Sequence, residues 1–224
     1  MKKKHIRKIL KTMINIILIG LIIYYMTPVV EKTVNTYENK QTYSKAVEEK
    51  EEIIETKSSD WITIPGTNIN YPVMWKEKDN SYYLKHDVYG NESNHGSIFY
   101  DGGIAPYSTH VTTLYGHCMR DGSMFNNLHY FRTDEQKFLS SELIIERSDG
   151  TTHKYRPLGL YVTNENFFYN KLHLKTLDES ISIIQEHSVY DIDIEYNQNA
   201  DILTLMTCSY EHEGDRLFVF YISE

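Results

Sequence analysis

Two apolar segments of this chain each end on a residue able to do nucleophilic or proton-transfer chemistry. ILTLMTC, 202–208, ends on Cys208, and HVTTLYGH, 110–117, ends on Gly116 and His117. A side chain at the end of a strand can emerge from the sheet toward a groove. An unperturbed thiol, with a pKa of about 8.5, is mostly protonated at neutral pH, so Cys208 becomes a useful nucleophile only beside groups that favour its thiolate. His117 supplies a candidate general acid and base. Arg216 opens the next apolar run, RLFVFYIS, after the connection SYEHEGD, and so returns beside Cys208 across an antiparallel pair. A guanidinium there favours thiolate and stabilises negative charge on a carbonyl oxygen. Plainer readings stand beside these: a buried cysteine behaves as a small hydrophobe, and Arg216 also fits an exposed strand-edge charge. Of the ten histidines, His86, His95, His110, His129, His153, His173, His187 and His212 have no setting like that of His117, and most read as surface groups. Cys118 adjoins His117, but strand alternation turns neighbouring side chains to opposite faces, so it reads as structural.

The elements that must position these residues are mostly strands. WITIPGTNINYPVMW, 61–75, reads as two short strands joined by a turn at Pro65-Gly66-Thr67, followed by SIFYD at 97–101. SELIIERSDGTTHKYRPLGLYVT, 141–163, reads as a hairpin turning at Asp149-Gly150. TDEQKFLS, with Thr133 as its N-cap candidate, and LDESISIIQEHS, with Ile181, Ile184 and His187 at helical spacing, read as helices covering the sheet. The body is therefore expected to be mostly β with helices, around eight short strands closing as a barrel or sandwich.

Length and charge narrow the class further. With 224 residues, 41% of them hydrophobic, the chain can bury one good core plus accessory segments. Two cysteines cannot form a disulfide framework and are too few for a cysteine-based zinc site. Lys2, Lys3, Lys4, Arg7, Lys8 and Lys11 precede any acidic residue, which leaves 17 basic against 31 acidic residues in the remainder. That net −14 argues against nucleic-acid binding by the body. Met13 to Val30 has fourteen apolar residues of eighteen and no charge. At about 1.5 Å per residue it spans roughly 27 Å, enough for a bilayer core. No small-residue cleavage site follows it, so it reads as an uncleaved signal anchor, and the basic flank keeps the N-terminus in the cytoplasm. The organisation expected is a cytoplasmic basic segment at 1–12, a transmembrane anchor at 13–30, a stalk of one or two helices at 31–59, and an extracellular domain at 60–224.

LYGHCMRDGSMF, 114–125, and LTLMTC, 203–208, followed by Arg216, resemble the signatures of the sortases, the cysteine transpeptidases of Gram-positive cell surfaces. The resemblance covers Trp61 to the C-terminus. The helical extension before the first strand, NSYYLKHD at 80–87, and a helix-bearing insert between Thr163 and Asp201 are similar to class B members. It implies an eight-stranded sortase-type barrel with N-terminal helices and a helix in the insert before the penultimate strand. It further implies Cys208 as nucleophile, His117 as general acid and base, and Arg216 as stabiliser of substrate and oxyanion, with no metal or organic cofactor. Asn80, Leu84, Thr163, Phe167 and Phe168 match positions around the substrate groove, and Thr207 helps shape the site. Met206 stands where some class B members have serine, and Ser209 where some have an acidic residue.

The implied partners are secreted proteins bearing a C-terminal sorting signal of NPxT or PxTG type, cleaved after Thr, and an amine of peptidoglycan or its precursor. The implied location is the membrane of a Gram-positive bacterium, with the catalytic domain outside. Three other readings stay open: a membrane-anchored cysteine peptidase or hydrolase using the same Cys208 and His117, a non-catalytic wall-binding module, and a zinc site from His117, Cys118, Cys208 and His212.

Overall fold

The computed structural model describes residues 2–57, 59–164, 172, 174–209 and 214–224. The chain divides into two compact units, residues 1–41 and residues 42–224. The first consists of the greater part of helix α1 (Lys2–Glu48), whose apolar stretch is long enough to cross a membrane and has a mean hydropathy of 2.1. Pro28 lies inside this helix.

The second unit begins with the last turns of α1 and the short helix α2 (Lys50–Lys57). Tyr43, Ala46 and Ile53 are buried there, so this part of the expected stalk has a core face. The Tyr43 hydroxyl donates to the Gly96 carbonyl, and Lys50 pairs with Glu146. Residues 42–57 therefore share a core with the strands that follow.

Eight strands close into a barrel: β1 (Asp60–Thr63), β2 (Asn70–Met74), β3 (Ile98–Tyr100), β4 (Val111–Tyr115), β5 (Leu143–Glu146), β6 (Thr152–Asn164), β7 (Ile202–Cys208) and β8 (Asp215–Ser223). Their order around the barrel is β1-β2-β3-β4-β7-β8-β6-β5, with β5 returning to β1. The two turn signals hold: Gly66 and Gly150 both have positive φ, the left-handed region that glycine reaches without a Cβ clash. β7 and β8 are buried on both faces, Leu203, Leu205 and Tyr221 on one and Phe218 and Phe220 on the other, all of them fully. Burying each such side chain contributes roughly 1.5–3 kcal/mol before entropy is counted.

Among the described residues, three further helices follow α1 and α2. The five-residue α3 (Glu135–Leu139) is capped by Asp134, not Thr133, because Asp134 accepts the Lys137 N–H at 2.9 Å. Helix α4 (Leu177–His187), in the insert before β7, opens with a Thr176/Glu179 capping box and buries Leu177, Ser180, Ile181 and Ile184. His187 is exposed rather than part of that face. The third is a 3-10 helix, Asn126–Arg132, which the sequence pattern did not signal.

Parallel pairing of β4 with β7 and antiparallel pairing of β7 with β8 decide where the reactive residues meet. Tyr115 is level with Met206, and Cys208 with Arg216. The β4 and β7 ends thus lie side by side, although Tyr115 and Met206 stand 91 positions apart in the sequence.

Candidate active site

The β4–β7 pairing continues one step beyond the ladder, where the Gly116 N–H donates to the Met206 carbonyl at 3.2 Å. On the other side the Thr207 hydroxyl donates to the Gly116 carbonyl at 2.7 Å. Gly116 is thereby held to β7 by both of its backbone polar groups, and the following residue, His117, comes level with Cys208. Across β8 and β6 the same register row continues through Arg216 to Thr163. Directly paired residues of neighbouring strands present their side chains to one face. Strand pairing thus sets Cys208, Arg216 and Thr163 in one row, and His117 follows Gly116 just beyond the β4 ladder.

Gly116 has no room for a side chain. A Cβ there would lie 2.4 Å from Ile98 Cδ1 and 2.7 Å from Phe125 Cδ2. Gly116→Ala should cost about 1–3 kcal/mol through overpacking. Calorimetry should show a lower Tm, and turnover should fall with it because the displaced backbone carries His117.

A cavity of about 670 Å³ opens over this row, lined by Cys208, His117 and Arg216, by Thr207 and Met206 from β7, and by Asn80 and Leu84 from the β2–β3 connection. Cys208 is half-buried whereas Cys118 is buried and is absent from the cavity wall. Cys118 Sγ instead accepts from Asn126 Nδ2 at 3.4 Å. His117 Nε2 lies 2.8 Å from the Leu84 carbonyl. A carbonyl only accepts, so Nε2 carries the hydrogen and Nδ1 is the nitrogen left for proton transfer. Arg216 Nη1 donates to the Asp215 carbonyl at 3.1 Å, which orients the guanidinium from its own strand.

Of the residues expected around the groove, Asn80, Leu84 and Thr207 line the cavity. The Thr207 hydroxyl spends its hydrogen on Gly116, so Thr207 shapes the site by joining two strands. Thr163 lies in the register row, half-buried, without lining the cavity. Phe167 and Phe168 lie outside the described residues, as does His212 of the zinc reading. Among the described residues, no group of three or more His, Cys, Asp or Glu side chains is gathered in a way that could hold a metal ion.

Three functional candidates were not legible beforehand. His95, read as a surface group, is 3% exposed and meets Asp121 Oδ2 at 2.8 Å. Burial works to raise the Asp121 carboxyl, yet hydrogen bonds from Ser123 and the His95 ring hold it below the ordinary carboxylate range. The pair fastens the loop after His117 to the segment that carries Leu84. His129, on the 3-10 helix, approaches the Cys208 carbonyl with Nε2 at 3.0 Å. Asp101, immediately after β3, lines the cavity as a buried carboxylate. No local pattern marks any of the three, because each is defined by a partner at least twenty residues away.

The model of the sortase domain family matches residues 62–221, more than half of the chain. The chain belongs to the sortase family. Its relatives place it with class B sortases. Sortase B of Listeria monocytogenes is 30% identical over 160 residues, 70% of this chain and 64% of that protein. Sortase B of Staphylococcus aureus is 26% identical, covering 93% of this chain and 94% of the relative. Among solved structures, sortase B of Clostridium perfringens superposes with a TM-score of 0.70 at 28% identity, covering 78% of this chain and 99% of that one. The closed eight-stranded barrel with helices is thus the sortase B fold. The match to the Listeria protein spans just under two thirds of that sortase's length.

Proposed function

We propose that this chain is a membrane-anchored class B sortase, a cysteine transpeptidase that joins proteins carrying a C-terminal sorting signal to an amine of the cell wall. The observation that carries the reading is that His117, Cys208 and Arg216 line one cavity of a sortase barrel, with Cys208 and Arg216 directly paired across β7 and β8.

In the proposed reaction Cys208 Sγ, as thiolate, attacks the carbonyl carbon of the Thr in an NPxT or PxTG-type signal, the carbon bonded to the next residue's nitrogen. Arg216 stabilises the oxyanion of the tetrahedral intermediate. Collapse breaks the C–N bond, and His117 gives its proton to the departing amine, leaving a thioacyl enzyme. An amine of peptidoglycan or its precursor then attacks the thioester carbon while His117 takes its proton. The C–S bond breaks, and the surface protein leaves with a new amide bond. The Leu84 carbonyl holds the Nε2 hydrogen of His117 throughout, so both proton transfers run through Nδ1. Each step balances without a metal or redox partner. Asn80 and Leu84 are assigned to the peptide groove that they line, and Thr163 to its flank beside Arg216.

The N-terminal helix suits this assignment. Its apolar length and basic flank orient the body outward under the positive-inside rule, the side on which wall precursors are exposed. Incubating the full-length chain in detergent with sorting peptides and oligoglycine tests the reaction class. The expected products are the released C-terminal fragment and the ligated peptide in equal amounts at saturating amine. Cleavage with no ligated product would identify a hydrolase instead, and neither cleavage nor ligation would favour the wall-binding reading.

A further inference from the structure

One cavity-wall carboxylate takes no part in the reaction above. Asp101 is 4% exposed, and burial of an ionised carboxylate is costly unless donors are assembled around it. They are assembled here. Oδ1 accepts from Asn80 Nδ2 at 3.0 Å and from the Gly103 N–H at 2.8 Å, and Oδ2 accepts from the Tyr115 hydroxyl at 3.1 Å. The backbone of the same residue is pinned as well, its N–H donating to the Thr113 carbonyl and its carbonyl accepting from Trp75 Nε1.

The Asn80 amide is held from two opposed sides. Its Oδ1 accepts the Gly102 N–H at 2.6 Å while its Nδ2 donates to Asp101. Turning the amide over would set oxygen against carboxylate and N–H against N–H, so the pair of contacts admits one orientation. Gly102 is required for that approach, since a Cβ there would lie 2.4 Å from the Lys76 carbonyl oxygen and 2.9 Å from the Asp79 nitrogen. Two of the valences of the amide are spent on this lock. The second N–H of Nδ2 is left to a side chain that is exposed on the cavity wall.

We propose that Asp101 is a positioning residue for substrate: it locks the Asn80 amide so that the groove wall offers an N–H donor to a backbone carbonyl of the extended sorting peptide. This rests on the groove holding such a peptide, as proposed above. A donor aimed at the main chain fixes the depth and direction of the peptide without reading a side chain. It therefore contributes to binding in ground and transition states alike, and its loss appears in KM rather than kcat.

The test uses steady-state ligation by the full-length chain in detergent, with thermal unfolding of each variant alongside. Asn80→Ala should raise the peptide KM about tenfold, the usual effect of one lost hydrogen bond, with kcat nearly unchanged. Asp101→Ala should do the same, and the double variant should be no worse than either single one, because the two residues act as one unit. Asp101→Asn should be close to wild type: its oxygen still accepts from Asn80 and Gly103, and its amide can donate to Tyr115. Asn80→Asp, which sets a second carboxylate against Asp101, should raise KM at least as far as Asn80→Ala. If Asn80→Ala raises KM while Asp101→Ala lowers only Tm, the positioning role is wrong. A wild-type KM in Asn80→Ala, or additive effects in the double variant, would also overturn it. Should Asp101→Ala fail to fold, a raised KM in folded Asp101→Asn equal to that of Asn80→Ala would count against the proposal, and a wild-type KM there together with the Asn80→Asp rise would support it. Failure of the broader reading looks different, because the wild-type chain would then form no ligated product at all.

Discussion

Cys208→Ala should leave the barrel intact and reduce ligation by at least about a thousandfold, as removal of a covalent nucleophile does in other hydrolytic enzymes. The fold should survive because the ladder bonds of β7 are made by its backbone, and the lost sulfur stands half-buried at the strand end, outside the packed centre. His117→Ala should produce a loss of similar size, since both half-reactions need its proton. The control is Cys118→Ala. That thiol is buried and its sulfur accepts from Asn126, so the expected change is a loss of about 1 kcal/mol of stability with turnover retained. Rates of product formation per folded molecule, measured for all three variants, check the assignment. Comparable loss in Cys118→Ala and Cys208→Ala would reverse it.

Arg216→Lys should lower kcat about 10²–10³-fold with little change in Tm. Both side chains carry one positive charge, so a purely coulombic role would tolerate the exchange. The geometry argues for more than charge. Arg216 is level with Cys208 in the β7–β8 register, and one arm of its guanidinium is engaged by the Asp215 carbonyl. A planar fork anchored in this way presents N–H groups to an oxyanion in a fixed geometry, while a flexible ammonium must be ordered anew in each transition state. Single-turnover acylation separates the step. The thioacyl rate should fall in Arg216→Lys, and a rate near that of the wild type would remove the oxyanion role.

Much of this was readable from residue patterns because strand formation and tight turns are signalled by local sequence. The Asp149-Gly150 turn, the Pro65-Gly66 turn and the two apolar runs ending on His117 and Cys208 each carry their signal within a few neighbours. What escaped reading is defined by distant partners. His95 looked like a surface residue because Asp121, which makes its burial tolerable, lies 26 positions further on. The helix carrying His129 has Phe125 at its cap position and no side-chain cap, so no start signal marks it. Asp101 follows an ordinary apolar strand, and only the closure of the barrel sets it against Asn80 and Tyr115. The stalk at 31–59 carries no dense aliphatic stripe to mark a core face. The contacts that join its end to the barrel come instead from Tyr43, Ala46 and Ile53, a small and partly polar set.

The most direct measurement is mass spectrometry of the full-length chain quenched during turnover with a library of sorting peptides. The account predicts a covalent acyl adduct ending in Thr, carried by the fragment that contains Cys208 and discharged when an amine is added. An adduct on Cys118, or turnover with no adduct on either cysteine, would contradict it.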